Sequence, residues 1–255
     1  MRPNTLKAKI AAGKPALGFM VMYEWPEMVQ MAAHLGIDYV MFDGEHGYLG
    51  IPEIARLVRA AESVDVTPIA RVPRNVPDII NAYLDAGVQG VVIPNVHTAA
   101  EARAAVAAAK YHPEGQRGTG YGHSMEWMIK QSFADYVVVA NRETMVFPQC
   151  ESRQGVENLD EILAVPGVDG VMMGPNDLSQ SLGHPGRADH PEVQAALARA
   201  KIAVRSSGKI LGWPAMDGDA ARTAIADGAQ MTIVGAHRLF AGAARDYLSK
   251  ARTGR

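Results

Sequence analysis

A cluster of ionisable side chains stands out early in this 255-residue sequence, where Asp43, Glu45 and His46 occur within four residues. A carboxylate next to an imidazole can raise the basicity of the histidine and fix its tautomer, as general acid–base catalysis requires. The same side chains could instead cap a turn, because Asp commonly accepts hydrogen bonds from nearby backbone N–H groups. The cluster therefore predicts a catalytic base and leaves a structural role open.

An arginine ends a short apolar segment further along the chain. Arg71 lies within the segment 68–72 and is followed by Val72 and Pro73. Its guanidinium could bind a substrate carboxylate through two parallel hydrogen bonds. An arginine that is solvated, or paired with a neighbouring helix, is the alternative.

Two more carboxylates follow later apolar segments. Glu151 lies in the segment 149–152 and Asp177 in the segment 174–179. If these segments end neighbouring strands, the two side chains together suit a hard octahedral cation such as Mg²⁺ or Mn²⁺. Asp177 alone could instead cap a helix N-terminus, which is a common position for Asp.

The single cysteine, Cys150, lies between Gln149 and Glu151. Because side chains alternate along a strand, we expect Gln149 and Glu151 to point one way and Cys150 the other. Cys150 is therefore expected to be buried between strand and helix rather than catalytic. A lone cysteine cannot form an internal disulfide, which favours a cytoplasmic protein.

The positions of the lysines argue against a Schiff-base mechanism, which needs a desolvated lysine at the site. Only Lys130 falls in a connection expected near the site, while Lys209 begins a predicted strand at the opposite face. Zinc-binding and serine-nucleophile motifs are also missing from the sequence.

Eight short apolar segments alternate with eight longer amphipathic ones. The predicted strands cover residues 17–23, 39–42, 68–72, 90–94, 144–149, 170–174, 209–213 and 230–234. The predicted helices cover residues 27–34, 51–61, 77–85, 99–110, 156–164, 191–206, 219–226 and 242–251. Eight such units predict an α/β fold, a (β/α)8 TIM barrel, formed by a single domain over residues 1–255. A doubly wound open sheet is the alternative, but no Gly-rich phosphate turn follows the first strand.

A barrel of this kind places its chemistry at the C-terminal ends of the strands. The segments with His46, Arg71, Glu151 and Asp177 all follow predicted strands, so we expect them to converge. The connection 111–133 is unusually long, and we expect it to be a functional connection between a strand and the following helix.

The overall charge excludes two classes of partner. The 25 Lys and Arg residues nearly balance the 27 Asp and Glu residues, and a formal charge of −2 does not favour nucleic acid or a membrane surface. The longest apolar runs are far shorter than the ~20 residues of a membrane-spanning helix. Residues 1–10 lack the apolar region of a signal peptide.

Taken together, five motifs make the chain resemble a known family. The segments 43–46, 71–73, 111–118, 149–152 and 174–179 recur in the order and spacing of the HpcH/HpaI aldolases. The resemblance covers essentially the whole chain. It implies a class II, metal-dependent pyruvate aldolase, which reversibly cleaves a 4-hydroxy-2-oxo acid to pyruvate, or a close 2-oxo acid such as hydroxypyruvate, and an aldehyde.

The resemblance also implies roles for individual residues. Glu151 and Asp177 would hold the divalent metal (Mg²⁺, Mn²⁺ or Co²⁺). Arg71 and Gln149 would contact pyruvate, together with backbone N–H groups around Asn176 and Asp177.

The acid–base residue implied by the resemblance is His46, oriented by Asp43 and supported by Glu45, and Arg71 completes the catalytic set. Members of the family commonly form hexamers, built as trimers of dimers, in which neighbouring subunits exchange the last helix. Residues 242–251 would be that helix.

Two departures from the family's pattern concern the aldehyde. Where the heptanedioate aldolases read Gly-Leu-Trp in the first strand, this chain reads Gly18-Phe19-Met20, so Met20 would replace an aromatic wall. The long connection also lacks, over residues 119–127, a further arginine of the dicarboxylate-handling members. We therefore expect a neutral aldehyde, hydroxylated or bulkier than succinic semialdehyde.

Two other functions remain open at this point. A lyase acting on an acyl-CoA, of the citrate-lyase β-subunit type, would need a basic rim for the CoA phosphates, and only Arg117 and Lys130 offer one. A non-catalytic barrel that binds 2-oxo acids would not need the base that Asp43 and His46 provide.

Overall fold

Eight parallel strands close into a barrel in the order β1 to β8 in the computed structural model, which describes residues 1–252. β8 pairs with β1, so the predicted (β/α)8 barrel is confirmed and the open sheet is excluded. Residues 253–255, the end of the predicted single domain, lie outside the described residues. Across residues 1–252, no helix combines the length and apolar character needed to cross a membrane.

The strands and helices have the following bounds. The strands are β1 Ala16–Val21, β2 Tyr39–Asp43, β3 Thr67–Arg71, β4 Gly90–Ile93, β5 Met145–Cys150, β6 Gly170–Met173, β7 Ile210–Pro214 and β8 Met231–Gly235. The helices are α1 Thr5–Ala11, α2 Pro26–His34, α3 Ile51–Glu62, α4 Pro77–Asp85, α5 Ala99–Ala109, α6 Phe133–Glu143, α7 Arg153–Glu157, α8 Leu159–Leu163, α9 Pro175–Ser181, α10 Pro191–Ser207, α11 Gly218–Ala226 and α12 Ala236–Arg252. Every predicted strand overlaps an observed one, with ends that differ by at most two residues.

The strands are apolar on both faces because the barrel interior lies on one side of the sheet and the helix layer on the other. All residues of β2, β4, β5 and β6 are buried. Tyr39, Ile69 and Phe147 belong to the interior cluster, which Leu6 of α1 joins. Helix α1 therefore covers the N-terminal end of the barrel, where the Leu6 backbone N–H donates to Thr67 Oγ1 at the start of β3.

The long connection 111–133 differs from the prediction. It follows α5 and leads into α6, so it lies at the N-terminal end of the barrel, not at the end where the predicted site residues converge. Its Arg117 binds Asp85 at the end of α4, and its His123 binds Glu62 at the end of α3. Lys130 is consequently remote from the site, which strengthens the case against a Schiff base.

Three helices also differ from the prediction. The predicted helix 156–164 is interrupted at Asn158 and forms α7 and α8. Asp177 lies in the first turn of α9, a short helix that the predicted helices do not include, and the N-cap of this helix is Gly174 rather than Asp177. The last helix, α12, begins at Ala236, directly after β8, rather than at residue 242.

Candidate active site

A cavity of about 270 Å³ opens at the C-terminal end of the barrel, as a TIM barrel would predict. Five of the polar residues singled out from the sequence line it: His46, Arg71, Gln149, Asn176 and Asp177. Much of the remaining wall is apolar: Met20, Met41, Met172, Met173, Pro214, Ala215, Met216 and Ile233. The cavity thus combines a polar group of residues with a mainly methionine-lined wall.

The Asp43 carboxylate and the Arg71 guanidinium form a two-pronged ion pair at one side of the site. Asp43 and Arg71 are register partners at the ends of β2 and β3. Arg71 Nε donates to Asp43 Oδ1 at 3.0 Å, and Nη2 donates to Oδ2 at 2.6 Å. Burial opposes ionisation of Asp43, but Arg71 outweighs it and holds the pKa of the carboxyl below its usual value. The pair is therefore charged.

Asp43 orders the turn that carries His46 through the backbone. Its Oδ1 accepts hydrogen bonds from the backbone N–H groups of Glu45 and His46, both at 3.1 Å. Both oxygens of the Asp43 carboxylate accept hydrogen bonds from Arg71. Asp43 therefore orients the His46 imidazole only indirectly, through the backbone of the turn, and not by a direct hydrogen bond to the ring as expected. The His46 side chain is 62% exposed, and its Nε2 lies 3.9 Å from Glu45 Oε2. Gly44 is required in this turn, since a Cβ there would lie 2.1 Å from Tyr83 Oη.

Glu45 provides a second carboxylate beside Arg71. Its Oε2 lies 3.2 Å from Arg71 Nη1. Burial raises the pKa of Glu45, and the negative charges of Asp43 and Asp177 add to the increase, while Arg71 and His46 oppose it. Arg71 is thus flanked by two acidic groups, and only 11% of its side chain is exposed.

Glu151 follows β5 and is buried at the site. The Asn95 backbone N–H donates to its Oε1 at 2.8 Å, and Gln149 Nε2 donates to its Oε2. Burial raises the pKa of Glu151, and the nearby carboxylates of Glu45 and Asp177 raise it further. Without a cation nearby, the ionised form of Glu151 is therefore disfavoured.

Asp177 brings a third carboxylate to the same region from α9. It lines the cavity, and among residues 1–252 its carboxylate has no hydrogen-bond or ion-pair partner. Gly174, just before α9, allows the close approach of this helix to β5. A Cβ at Gly174 would lie 2.7 Å from Glu151 Cβ and 3.0 Å from Glu151 Oε2.

The donor set at this position fits the divalent cation that the sequence resemblance implies. Glu151 and Asp177 offer carboxylate oxygens, which hard cations such as Mg²⁺ and Mn²⁺ prefer. The raised pKa of Glu151 and the unpartnered carboxylate of Asp177 are both relieved by a positive charge between them.

Comparison with known proteins shows which family this architecture belongs to. Residues 17–240 match the family model described as HpcH/HpaI aldolase/citrate lyase. The chain belongs to the HpcH/HpaI aldolase/citrate lyase family.

Individual relatives within this family are similar over nearly the whole chain. The chain is 39% identical to a hydroxypyruvate/pyruvate aldolase of Deinococcus radiodurans over 245 residues, 95% of this chain and 87% of the relative. It is 37% identical to a 4-hydroxy-2-oxo-heptane-1,7-dioate aldolase of Escherichia coli, over 82% of this chain and 79% of the relative. An HpcH/HpaI aldolase/citrate lyase family protein of Burkholderia cenocepacia superposes with a TM-score of 0.92 at 30% identity, covering 98% of this chain and 100% of that protein.

Two other ionisable side chains, Cys150 and the buried Lys110, lie away from the cavity of this family member. Cys150 is 3% exposed within the apolar cluster behind the sheet, as expected, and burial raises the pKa of its thiol to about 12. Lys110 is buried, but its Nζ donates to the carbonyl oxygens of Asn141 and Thr144 next to the start of β5. This lysine stabilises the N-terminal end of the barrel.

A separate group of three side chains has the composition of a metal site. His184, His190 and Glu192 bring potential ligand atoms within 4.8 Å of one another near the start of α10. Arg153 Nη2 donates to Glu192 Oε1 at 2.8 Å, and His184 Nε2 lies 2.9 Å from Glu192 Oε2. Both carboxylate oxygens are therefore engaged, and these contacts stabilise the first turn of α10.

Two residues that line the cavity were missed in the sequence. His237 and Arg238 belong to the first turn of α12 and reach the cavity because α12 follows β8 without a loop. The sequence did contain a signal for them. His237 and Arg238 come shortly after the predicted eighth strand, in the same kind of strand-end position as the other predicted site residues.

Proposed function

We propose that this chain is a divalent-metal-dependent aldolase, a carbon–carbon lyase that reversibly cleaves a 4-hydroxy-2-oxo acid to pyruvate, or a close 2-oxo acid such as hydroxypyruvate, and an aldehyde. The observation that carries the proposal is that the buried carboxylate of Glu151 interacts electrostatically with Asp177, which lines the cavity together with Arg71 and Gln149. Relatives named as aldolases of 2-oxo acids, 37–39% identical, support the same reaction class.

Glu151 and Asp177 would hold the cation, which we propose to be Mg²⁺, Mn²⁺ or Co²⁺. When bound, the cation supplies Lewis acidity that stabilises negative charge developing on the 2-oxo acid.

The protein's own groups would bind the 2-oxo acid and move the proton. Arg71 and Gln149 present N–H donors to the carboxylate and keto oxygens, and the backbone N–H groups of Asn176 and Asp177 add donors at the start of α9. His46, directly or through a water molecule, accepts the proton of the C4 hydroxyl while the C3–C4 bond breaks. The bonding electrons remain on the pyruvate half, which gains a proton at C3, and the aldehyde leaves.

The two alternative functions have less support. The citrate lyase structures that this chain resembles are 18% identical, so that likeness concerns the fold alone. A non-catalytic 2-oxo-acid-binding barrel would leave His46, exposed at the cavity on a turn ordered by Asp43, without a role.

The replacement Glu151→Gln tests the proposal because it removes one charge while keeping the shape of the side chain. We expect pyruvate release from 4-hydroxy-2-oxo acids to fall by about 100-fold or more, as removal of one electrostatic group at a reacting centre typically causes. Treatment with EDTA should abolish activity in the unmodified protein, and Mn²⁺, Co²⁺ or Mg²⁺ should restore it. Glu157→Gln, at an exposed position of α7, is the matched control. Full turnover by the metal-stripped protein would contradict the proposal.

We also propose that the active form is a cytoplasmic homo-oligomer, a hexamer built as a trimer of dimers, with α12 packed on a neighbouring subunit. None of the residues of α12 is buried within its described span, although Leu239, Phe240, Tyr247 and Leu248 are apolar or aromatic. An apolar groove of about 440 Å³ lies beside the start of α12 and is lined in part by Trp25 of the segment before α2. Exposed apolar surface of this kind is typical of subunit interfaces.

A further inference from the structure

The cavity has two cationic side chains that lie on opposite sides of the barrel. Arg71 ends β3, and Gln149, the other polar donor, comes from β5; these strands flank β4. Arg238 follows β8, which lies across the eight-stranded barrel from β4. A substrate held at Arg71 and Gln149 would therefore have to extend across the cavity to reach Arg238.

The two arginines differ in whether an acidic side chain neutralises their positive charge. Arg71 is paired with Asp43 at 2.6 Å and lies 3.2 Å from Glu45. Arg238 has no ion-pair partner and no hydrogen-bond partner within the described part of the chain. Arg238 is exposed, so water solvates its guanidinium, and no carboxylate of the described residues neutralises this positive charge at the cavity.

The position of Arg238 within α12 makes its charge more unusual. It is the third residue of a helix of 17 residues whose first turn contains no acidic side chain. A cation near a helix N-terminus is disfavoured, because the backbone dipoles place positive charge there too. The helix therefore gains no stability from this charge, whereas an anion in the cavity would be attracted both by Arg238 and by the helix N-terminus.

The wall between the two arginines is apolar and adaptable. Met20 of β1 is the register partner of Gly235, the last residue of β8, so it lies next to the start of α12. Met20, Met41 and Met172 line this part of the cavity. Flexible methionine side chains can pack against carbon chains of different shape.

We propose that Arg238 binds the far end of the acceptor aldehyde, and that the natural acceptor carries an anionic group, a carboxylate or a phosphate, at that end. The assignment rests on the proposed aldolase activity and replaces the neutral aldehyde expected from the sequence. The 2-oxo acid half would lie at Arg71 and Gln149, and the anionic end would lie at Arg238.

Matched substrates provide the test. Three 4-hydroxy-2-oxo acids of equal chain length would be compared, with a terminal carboxylate, a terminal phosphate or a neutral terminal hydroxymethyl group. We expect the unmodified protein to cleave at least one anionic substrate with a higher kcat/KM than the neutral one. The preferred anionic substrate shows whether the natural acceptor carries a carboxylate or a phosphate.

Variants at Arg238 isolate the contact. Arg238→Gln should lower kcat/KM for the preferred anionic substrate by about 10- to 100-fold, mainly through KM, since a charge-assisted hydrogen bond is lost. Its kcat/KM for the neutral substrate should fall far less, so the ratio of the anionic to the neutral kcat/KM is the diagnostic quantity. Arg238→Lys should retain part of the preference. Arg245→Gln, an exposed position on the same helix outside the cavity lining, is the control for the change in net charge.

Exchange of the pyruvate methyl protons in D₂O, followed by NMR, separates this proposal from the aldolase function because it does not need the acceptor. Retained exchange with no preference for either anionic substrate would overturn the role of Arg238 alone. Loss of exchange in Arg238→Gln would also overturn it, since the residue would then serve the pyruvate half. If the unmodified protein shows neither exchange nor cleavage, the aldolase function itself fails and the role of Arg238 fails with it.

Discussion

Arg71 neutralises only part of the acidic charge collected at the site. It pairs with Asp43 and lies near Glu45, whereas Glu151 and Asp177 have no basic side chain as a hydrogen-bond or ion-pair partner within residues 1–252. Burial is the main reason that the pKa of Glu151 is raised. The metal-free protein must therefore place a carboxylate in an environment that favours its protonated form.

This raised pKa predicts a pH dependence of stability for the metal-free protein. Between the usual value near 4.5 and the raised pKa of Glu151, the folded protein binds more protons than the unfolded chain. The contribution of Glu151 to the free energy of unfolding therefore falls as pH rises through this window and stays low above it.

Metal-free Glu151→Gln should consequently have a higher Tm than the metal-free unmodified protein above the window, and the two should converge below it. With saturating Mn²⁺ the order should reverse, because a ligand at 100 times its Kd adds about 2.7 kcal/mol to the protein that binds it. Thermal unfolding followed by circular dichroism, with EDTA or Mn²⁺, measures both differences. An unchanged order on metal addition would show that Glu151 does not hold the cation.

Residue types and strand-end positions predicted His46, Arg71 and Asp177 on the polar side of the cavity, whereas Gln149 and Asn176 were implied by the family resemblance. The partner of Asp43 could not be predicted, because the ion pair depends on the register of β2 with β3. Arg238 was missed for a similar reason: whether a residue after β8 reaches the cavity depends on α12 starting without a loop.

At the scale of elements, the contact between α9 and β5 sets the position of the two proposed metal ligands. Gly174 is the residue before α9, and its missing Cβ leaves room for Glu151. The glycine is needed here for close approach, since its backbone does not adopt a left-handed conformation.

We expect Gly174→Ala to weaken metal binding and kcat/KM by about tenfold or more, because overpacking of this kind typically costs about 1–3 kcal/mol. The new methyl group would push the Glu151 side chain away from the proposed metal position that it shares with Asp177. Isothermal titration with Mn²⁺ and the pyruvate-release assay measure the two effects. Gly218→Ala, where no heavy atom lies within 4 Å of the added Cβ, is the control. Unchanged metal affinity would contradict the role of this contact.

Periodic apolar patterns predicted all eight strands, but three helices outside the strict alternation were not predicted. Helix α1 is short and depends on Asn4, whose side chain accepts from the Lys7 backbone N–H and donates to the carbonyl oxygens of Gln89 and Glu143. Helices α6 and α9 are extra to the βα repeat. Tertiary contacts of this kind are not visible in a local pattern.

At the scale of the whole molecule, α12 is the element whose apolar side chains lack a buried environment. Phe240 is 69% exposed and Tyr247 is 71% exposed, and Phe240 lines the apolar groove. Burying one such aromatic side chain contributes about 1.5–3 kcal/mol. In the proposed oligomer, a second copy of the chain would cover the helix and make this energy available.

Phe240→Asp should therefore dissociate the proposed oligomer, because a carboxylate in an apolar interface is strongly disfavoured. Size-exclusion chromatography with light scattering measures the mass directly. Ile202→Asp, at a position 66% exposed on α10, is the control for adding a charge to an exposed apolar site. If the mass of Phe240→Asp equals that of the unmodified protein, α12 does not form the subunit contact.

In the proposed oligomer, the direct junction between Gly235 of β8 and Ala236 of α12 would link substrate choice to assembly. The direction in which α12 leaves the barrel positions Arg238, and the neighbouring subunit that receives the helix would set that direction. By thermodynamic reciprocity, if assembly strengthens the binding of an anionic acceptor, that acceptor must strengthen assembly by the same factor. The affinity for the acceptor would then depend on protein concentration. Diluting the protein would dissociate the oligomer and so reduce its preference for anionic acceptors.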